Sequence, residues 1–351
     1  MKNSIAINQD RYGWVDFAKG ICIVAVVTLY AKNQVGHFLG NAGWLDDWVR
    51  FARPFRMPDF FLLSGLFLGR VLDRPWRSYL DTKVAHYLYF LVLWTLIIVP
   101  WNWLSVSWDV TPWTAFKNIV YSIYRPDAML WFIQMLAVYF VVTRLLRRVP
   151  WWCMLPAAAV LKMLDYHTGI YPVDWFGEYY VFFYTGYYFA KSIFQYSEWV
   201  QGNRAKAMAI VLAWIIGNAY ATLQPWSTNP LVFQALGFVG IMAVISISTL
   251  LQRYSFMNWL RYLGENSIVL YLGFYLPMLF MIWACGALGY RPNPGVFATA
   301  ITAASILTAL SAFWATRGTR LAFLFTRPTW AHLVPKVARK VGDARTGDPV
   351  A

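Results

Sequence analysis

Ten stretches of this chain, roughly 15–32, 57–72, 84–104, 128–145, 150–165, 173–191, 206–223, 229–250, 264–285 and 294–316, are apolar and almost free of charge. A helix needs roughly 20 mostly apolar residues to cross the hydrocarbon of a bilayer. Within lipid every backbone N–H and C=O must find its partner inside the protein, which leaves helices or closed barrels. Runs of this length and uniformity select helices. The expected fold is therefore an all-α integral membrane protein with about ten transmembrane helices. The second stretch is short and the sixth is rich in tyrosine. The first resembles a signal peptide in having a short apolar core, but no small-x-small cleavage site follows it, so it is kept as a helix of the mature protein.

Composition agrees. Of the 351 residues 59% are hydrophobic and 13% charged, against about half and a quarter in soluble domains. That excludes a soluble enzyme, a disordered chain and a disulfide scaffold. Twenty Trp, 22 Tyr and 25 Phe suit two aromatic belts at the membrane interfaces. Cys22, Cys153 and Cys285 are too scattered for a metal site or a disulfide framework and are expected to be buried small hydrophobes.

The distribution of positive charge orients the chain. With the N-terminus in the cytoplasm and ten alternating helices, the inner side collects 22 of the 30 Lys+Arg, while the acidic residues divide evenly. The inner basic groups include Arg70, Arg74, Arg77 and Lys83, then Arg144, Arg147 and Arg148, and seven residues of the tail. Both termini are thus expected to be cytoplasmic. The net charge of +14 then reads as loops facing anionic lipid, and no basic run interleaved with aromatics suggests nucleic acid. The polar connections 33–56 and 105–127 are too short for a soluble domain. A single membrane domain over 11–316 and a basic cytoplasmic tail over 317–351 are expected. Leu321, Phe323, Leu324 and Phe325 would rest on the inner leaflet, and the last ten residues would be disordered.

Charged groups inside lipid are rare and usually functional. On a helix of 100° per residue, Asp16, Lys19 and Tyr30 share one face, with Lys19 and Tyr30 about 16 Å apart along the axis. They form either a functional face or an anchoring Asp–Lys pair beneath a belt tyrosine. Arg53, Arg56 and Asp59 follow at three-residue intervals, with Pro54 and Pro58 expected to break the helix and Ser64-Gly65 just beyond. Here a site competes with an interfacial Arg–Asp network. Glu178 is followed by Tyr180, Tyr184, Tyr187 and Tyr188, an i, i+4, i+7, i+8 stripe of hydroxyls that lines a sugar path or forms a packed aromatic seam. Just after Asn266 come Ser267, Tyr271 and Tyr275 at four-residue spacing, which make a second polar seam. Trp131, Gln134 and His86 are weaker single signals.

Together these segments resemble the membrane acyltransferase family called acyltransferase 3, whose members include O-acetylases and succinyltransferases of bacterial surface polysaccharides. Asp16-Phe17-Ala18-Lys19-Gly20-Ile21 is similar to the family's first-helix motif. Phe55-Arg56-Met57-Pro58-Asp59-Phe60-Phe61-Leu62-Leu63-Ser64-Gly65 is similar to its second-helix motif, and is the more specific match. Leu130-Trp131-Phe132, and Gly264-Glu265-Asn266-Ser267-Ile268 with Tyr271, resemble later signatures. Lys19 in place of Arg points to the fucose 4-O-acetylase-like branch. The resemblance implies a protein of the bacterial inner membrane that moves an acyl group, often acetyl, from acyl-CoA as donor substrate to a hydroxyl of a glycan or glycolipid acceptor. No bound cofactor or metal is implied. Asp16, Lys19, Tyr30 and Arg56 then stand at catalytic positions, with Arg53, Asp59, Ser64, Trp131, Glu178, Tyr180, Asn266, Ser267 and Tyr271 as substrate-binding candidates.

The chain departs from the family at one place. A first-helix histidine, separated from the basic residue by ten positions, is the expected general base; here that position is Tyr30. A phenol with a reference pKa of about 10 is a poor base at neutral pH. Either another group such as His37 or His86 supplies the base, or a neighbouring cation such as Arg53 or Arg56 activates Tyr30, or the chain binds without turnover. The function classes are accordingly an acyltransferase, a non-catalytic binder or accessory protein of the same fold, and a transporter. The last is disfavoured because transporters commonly show repeats and paired broken helices. An acyltransferase predicts a cavity joining Lys19, Arg53, Arg56 and the tyrosine stripe, open to both sides.

Overall fold

A computed structural model describes residues 12–106, 111–126, 128–164 and 168–334, all helical or irregular, with no strand among them. The expected disorder of the last ten residues, and the tail cations Lys336, Arg339, Lys340 and Arg345, lie outside the described residues. The chain runs α1 (Gly13–Leu39), α2 (Leu45–Gly65), α3 (Trp76–Leu80), then a π-helical turn Asp81–Ala85 into α4 (His86–Val106). It continues through α5 (Pro112–Tyr124), α6 (Trp131–Leu145), α7 (Trp151–Met163), α8 (Tyr171–Asp174), α9 (Phe176–Tyr188) and α10 (Ala190–Gly202). The last elements are α11 (Arg204–Leu223), α12 (Pro230–Leu251), α13 (Asn258–Glu265), α14 (Ser267–Gly273), α15 (Tyr275–Ala287) and α16 (Pro294–Thr316).

Six helical segments among the described residues are long and apolar enough to cross a membrane: Gly13–Leu39, Trp76–Trp101, Arg204–Leu223, Pro230–Leu251, Ser267–Ala287 and Pro294–Thr316. The other four expected stretches fall on α2, which carries six charged side chains, and on α6, α7 and α9, which have only 15, 13 and 13 residues.

Two expectations about the first hairpin are corrected. Helix α1 continues to Leu39 and α2 begins at Leu45, so the polar connection expected over 33–56 shrinks to a tight turn. Nor do the prolines break α2, which is continuous through Pro54 and Pro58. The two stand four residues apart, so the N–H missing at Pro58 is the one that would have bonded the Pro54 carbonyl. The neighbouring Phe51 carbonyl accepts the Asn218 side-chain amide at 2.9 Å, and Gly237 brings α12 against the Pro54 carbonyl. Tertiary packing thus holds a helix that local propensity opposes. Of the cysteines only Cys22 is buried; Cys153 is exposed and Cys285 half-buried. Cys153 sits on α7, beside Trp152 on a face that also lies open.

Glycines set the closest helix contacts. A Cβ on Gly20 would strike the Leu260 carbonyl, and one on Gly264 the Asp16 carbonyl, locking α1 to α13. Gly65 and Gly186 do the same reciprocally for α2 and α9, against the carbonyls of Phe183 and Leu62. Such small-residue seams are how helices approach in lipid, where no hydrophobic force separates apolar side chains from solvent.

The segment after α16 folds back on the protein. Phe325 is buried against Trp94 and Phe313, at ring distances of 5.8 Å for each. Tyr89 and Trp94 donate to the carbonyls of Phe323 and Leu324. Arg327 binds the wholly buried Asp81 carboxylate and donates to its backbone carbonyl. Leu321 and Phe323 keep exposed apolar surface, but Phe325 points into the bundle rather than to the lipid surface.

Candidate functional site

The expected site residues sort into two groups. Near the Gly13 end, Asp16 is buried and Lys19 half-buried on α1. Asn266 closes α13, its side-chain amide donating to the Tyr262 carbonyl at 2.9 Å, and half-buried Ser267 opens α14. One step deeper, the Cys22 thiol donates to Asp59 at 2.9 Å. Asp59 is fully buried and its other oxygen has no partner. Ser64 returns its hydroxyl to the Phe60 carbonyl of its own helix at 2.7 Å, a local bond that leaves it no evident role toward a ligand.

The second group lies nearer the Leu39 end, around a cavity of about 1030 Å³. Arg53 and Arg56 of α2, Lys162 of α7, Trp175, Glu178 and Tyr179 around α9, and Phe233 of α12 face it. It is also lined by Tyr121 and Tyr124 of α5, by Arg125 just after that helix, and by Tyr171 and Asp174 of α8. Lys162 and Glu178 form an ion pair at 2.6 Å, with the lysine side chain 6% exposed. Arg53 lies over the Phe233 ring. Arg56 is 7% exposed, yet its Nε and Nη1 have no hydrogen-bond partner, and no carboxylate among the described residues pairs with it. Its electrostatic neighbours are Tyr30, Tyr179 and Arg53.

Half-buried Tyr30 sits behind this cation, its ring 5.4 Å from Phe274 and 5.8 Å from Tyr275, with the Trp131 indole facing its hydroxyl. Trp131 also packs on Trp175 and Tyr179, at 5.6 and 5.8 Å, and so joins Tyr30 to the cavity wall. Buried Tyr271 packs on Phe132 at 5.5 Å, and Tyr275 accepts a bond from Gln34 at 3.4 Å. The second polar seam therefore reaches the surroundings of Tyr30.

Tyr180 does not face the cavity. Its ring is fully buried against Tyr139 and Phe176, and its hydroxyl pairs with Thr143 at 3.1 Å. Tyr184 and Tyr188 stack onward from it, so the stripe is the aromatic seam. One residue earlier, Tyr179 is the tyrosine that looks outward, stacked on Phe61 at 5.2 Å. Lys19 is not among the cavity residues. Gln134 caps the end of α5 by donating to the Ile123 and Tyr124 carbonyls. Neither weighed histidine reaches the site: His37 is exposed in the last turn of α1, and His86 packs on Tyr87 and Phe90.

Sequence reasoning missed Lys162, Tyr171, Trp175 and Tyr179. Lys162 stands alone in a short apolar helix, which was itself a signal. The aromatics were lost in a chain this rich in them.

A cationic, aromatic-walled cavity inside an apolar helical bundle can be compared with known families. The profile of the acyltransferase domain family matches residues 12–315, nearly the whole described chain. The chain belongs to the acyltransferase 3 family. It is a membrane protein of acyltransferase type. It is also 23% identical over 290 residues to the inner membrane protein YcfT of Escherichia coli K12, covering 74% of this chain and 77% of that protein. No solved structure matches. Both family motifs lie on α1 and α2, whose facing residues include Cys22, Tyr30, Arg56 and Asp59.

Proposed function

We propose that this acyltransferase 3 protein moves an acyl group, acetyl in the simplest case, from acyl-CoA to a hydroxyl of a surface polysaccharide or glycolipid. The observation that carries the reading is Arg56. A guanidinium buried without a carboxylate costs several kcal/mol, on the order of the penalty for an unpaired buried ion. Family membership supplies the reason to keep it: a developing oxyanion. The acceptor oxygen attacks the thioester carbonyl, the carbonyl oxygen takes the charge beside Arg56, and collapse expels the CoA thiolate, which takes up the proton released by the acceptor hydroxyl. Trp175, Tyr179 and Tyr171 offer flat faces for sugar rings, and the Lys162–Glu178 pair offers hydrogen bonds to hydroxyls. In this reading the ten expected helices alternate, the Gly13 end faces the cytoplasm of a bacterial inner membrane, and the cavity opens to the other side. Lys19 supports the fucose 4-O-acetylase-like branch.

A second reading rests on Tyr30: with no imidazole lining the site among the described residues, the chain acts as a binding or accessory member of the family. Both readings are tested on membranes supplied with labelled acetyl-CoA and a glycan fraction. Label appearing in glycan with wild type, and falling about 100-fold or more with Arg56→Ala, supports transfer. Transfer unchanged in a folded Arg56→Ala protein would remove Arg56 from the chemistry. Donor or glycan binding without any labelled product supports the accessory reading.

A further inference from the structure

At the Gly13 end, away from the cavity described above, lies a second cationic feature that the acyl-transfer reading does not use. Arg144, in the last turn of α6, is 6% exposed and held between two rings, its guanidinium carbon 4.2 Å from the Trp76 centroid and 4.3 Å from that of Tyr79. One amino group donates to the Arg74 carbonyl, while Nη1 has no partner. Arg147 and Arg148 complete a hollow of about 210 Å³ with Trp76 and Leu145. The acidic group at hand is Asp73, which is 89% exposed and engaged with Arg147 at 3.0 Å. Arg144 and Arg148 pair with no carboxylate among the described residues.

An ordinary reading of three arginines at a helix end is favourable contact with the negative helix terminus and a snorkelling rim. That accounts for exposed Arg147 and Arg148. It does not account for Arg144, which turns away from its own helix end to the carbonyl of the α2–α3 connection and is clamped between aromatic faces. Cation–π contact offsets part of the cost of burying it. It leaves a fixed, oriented cation beside two exposed ones, with the exposed Asp73, already engaged by Arg147, as the nearby counter-charge among the described residues.

We propose that this hollow is a phosphate-binding site. The guanidinium fork matches phosphate oxygens, and basic pockets between membrane helices recognise anionic headgroups. Its volume of about 210 Å³ is ample for a phosphate group. The phosphate comes either from the headgroup of an anionic phospholipid or from a soluble phosphate; the chemistry of recognition is shared. The site is independent of whether the chain transfers acyl groups.

The test uses the purified full chain in a neutral maltoside detergent, followed by thermal unfolding. The probes are dioleoylphosphatidylglycerol, dioleoylphosphatidylcholine at the same mole ratio, and inorganic phosphate against chloride at equal ionic strength. The double variant Arg147→Ala/Arg148→Ala removes only exposed side chains, and its unliganded midpoint reports that it still folds. If that midpoint falls, Arg148→Ala alone, which breaks no contact, replaces it. Phosphatidylglycerol or inorganic phosphate should raise the wild-type midpoint, and the variant should need at least about tenfold more probe for the same rise, as loss of charge-assisted hydrogen bonds implies. A rise with phosphatidylglycerol alone assigns a lipid headgroup, and a rise with inorganic phosphate alone a soluble source. No rise with either probe, or equal rises in wild type and variant, overturns the proposal.

Discussion

The pair α2 and α9 is closed at one end and open at the other. At Gly65 and Gly186 the two backbones touch, each glycine facing a carbonyl of its partner helix. Two to three turns away the same helices carry Arg56, Glu178 and Tyr179 around the large cavity. The Phe61–Tyr179 stack marks where closure gives way to opening. One helix pair thus supplies both a rigid hinge of bare backbone and a chamber lined with long polar side chains. A site held to sub-ångström tolerance needs such rigid support.

The contrast breaks most completely at the closed end. Gly186→Val would drive its side chain into the Leu62 carbonyl, where backbone on both sides leaves nothing to yield. We expect a loss of about 3 kcal/mol or more, seen as a fall in the unfolding midpoint or loss of expression. An unchanged midpoint would mean the helices are not in contact there. At the open end the sign reverses. Arg56→Met removes an unpaired buried charge and should leave stability equal or raised by about 1 kcal/mol, even as acyl transfer is lost. If Arg56→Met unfolds the chain, Arg56 is structural.

Glu178→Gln is intermediate. It strips the partner from the buried Lys162, but Glu178 itself is partly exposed, so screening limits the cost to about 1–2 kcal/mol. Half-saturation for the acceptor should rise severalfold in the transfer assay, with little change in turnover. The smallest effect belongs to the surface pair Arg261–Glu265, at 3.1 Å. Glu265→Gln should cost at most about 0.5 kcal/mol; a larger loss would assign this glutamate to the site, as its place next to Asn266 invites.

What the sequence disclosed follows the same division. Spans with uniform apolarity were legible almost to the residue, as in α12 (Pro230–Leu251) and α16 (Pro294–Thr316), because lipid imposes one pattern on every turn. Helix α2 was not, since its prolines and charges argue locally for a break that contacts from α11 and α12 prevent. In the site, the charged residues Arg53, Arg56 and Glu178 declared themselves by being costly in lipid. The tyrosines did not: an aromatic stripe reads alike whether it packs or lines, and only the rotation of α9 decides that Tyr179 faces the cavity while Tyr180 faces Thr143. Docking of the tail through Arg327 and Asp81, 246 residues apart, left no local trace.

If the chamber beside Tyr30 is the acyl-transfer site, a phenol stands there where the family resemblance implies imidazole. Tyr30→His tests it most directly, since the ring replaces another ring between Phe274, Tyr275 and Trp131. Membranes carrying wild type or Tyr30→His would be given labelled acetyl-CoA, and label in the glycan fraction would be followed. Tyr30→His is expected to raise transfer well above wild type, by about 100-fold or more, the scale of general base catalysis. Transfer by the wild type that Tyr30→His leaves unchanged would contradict it, and would locate the base away from this chamber.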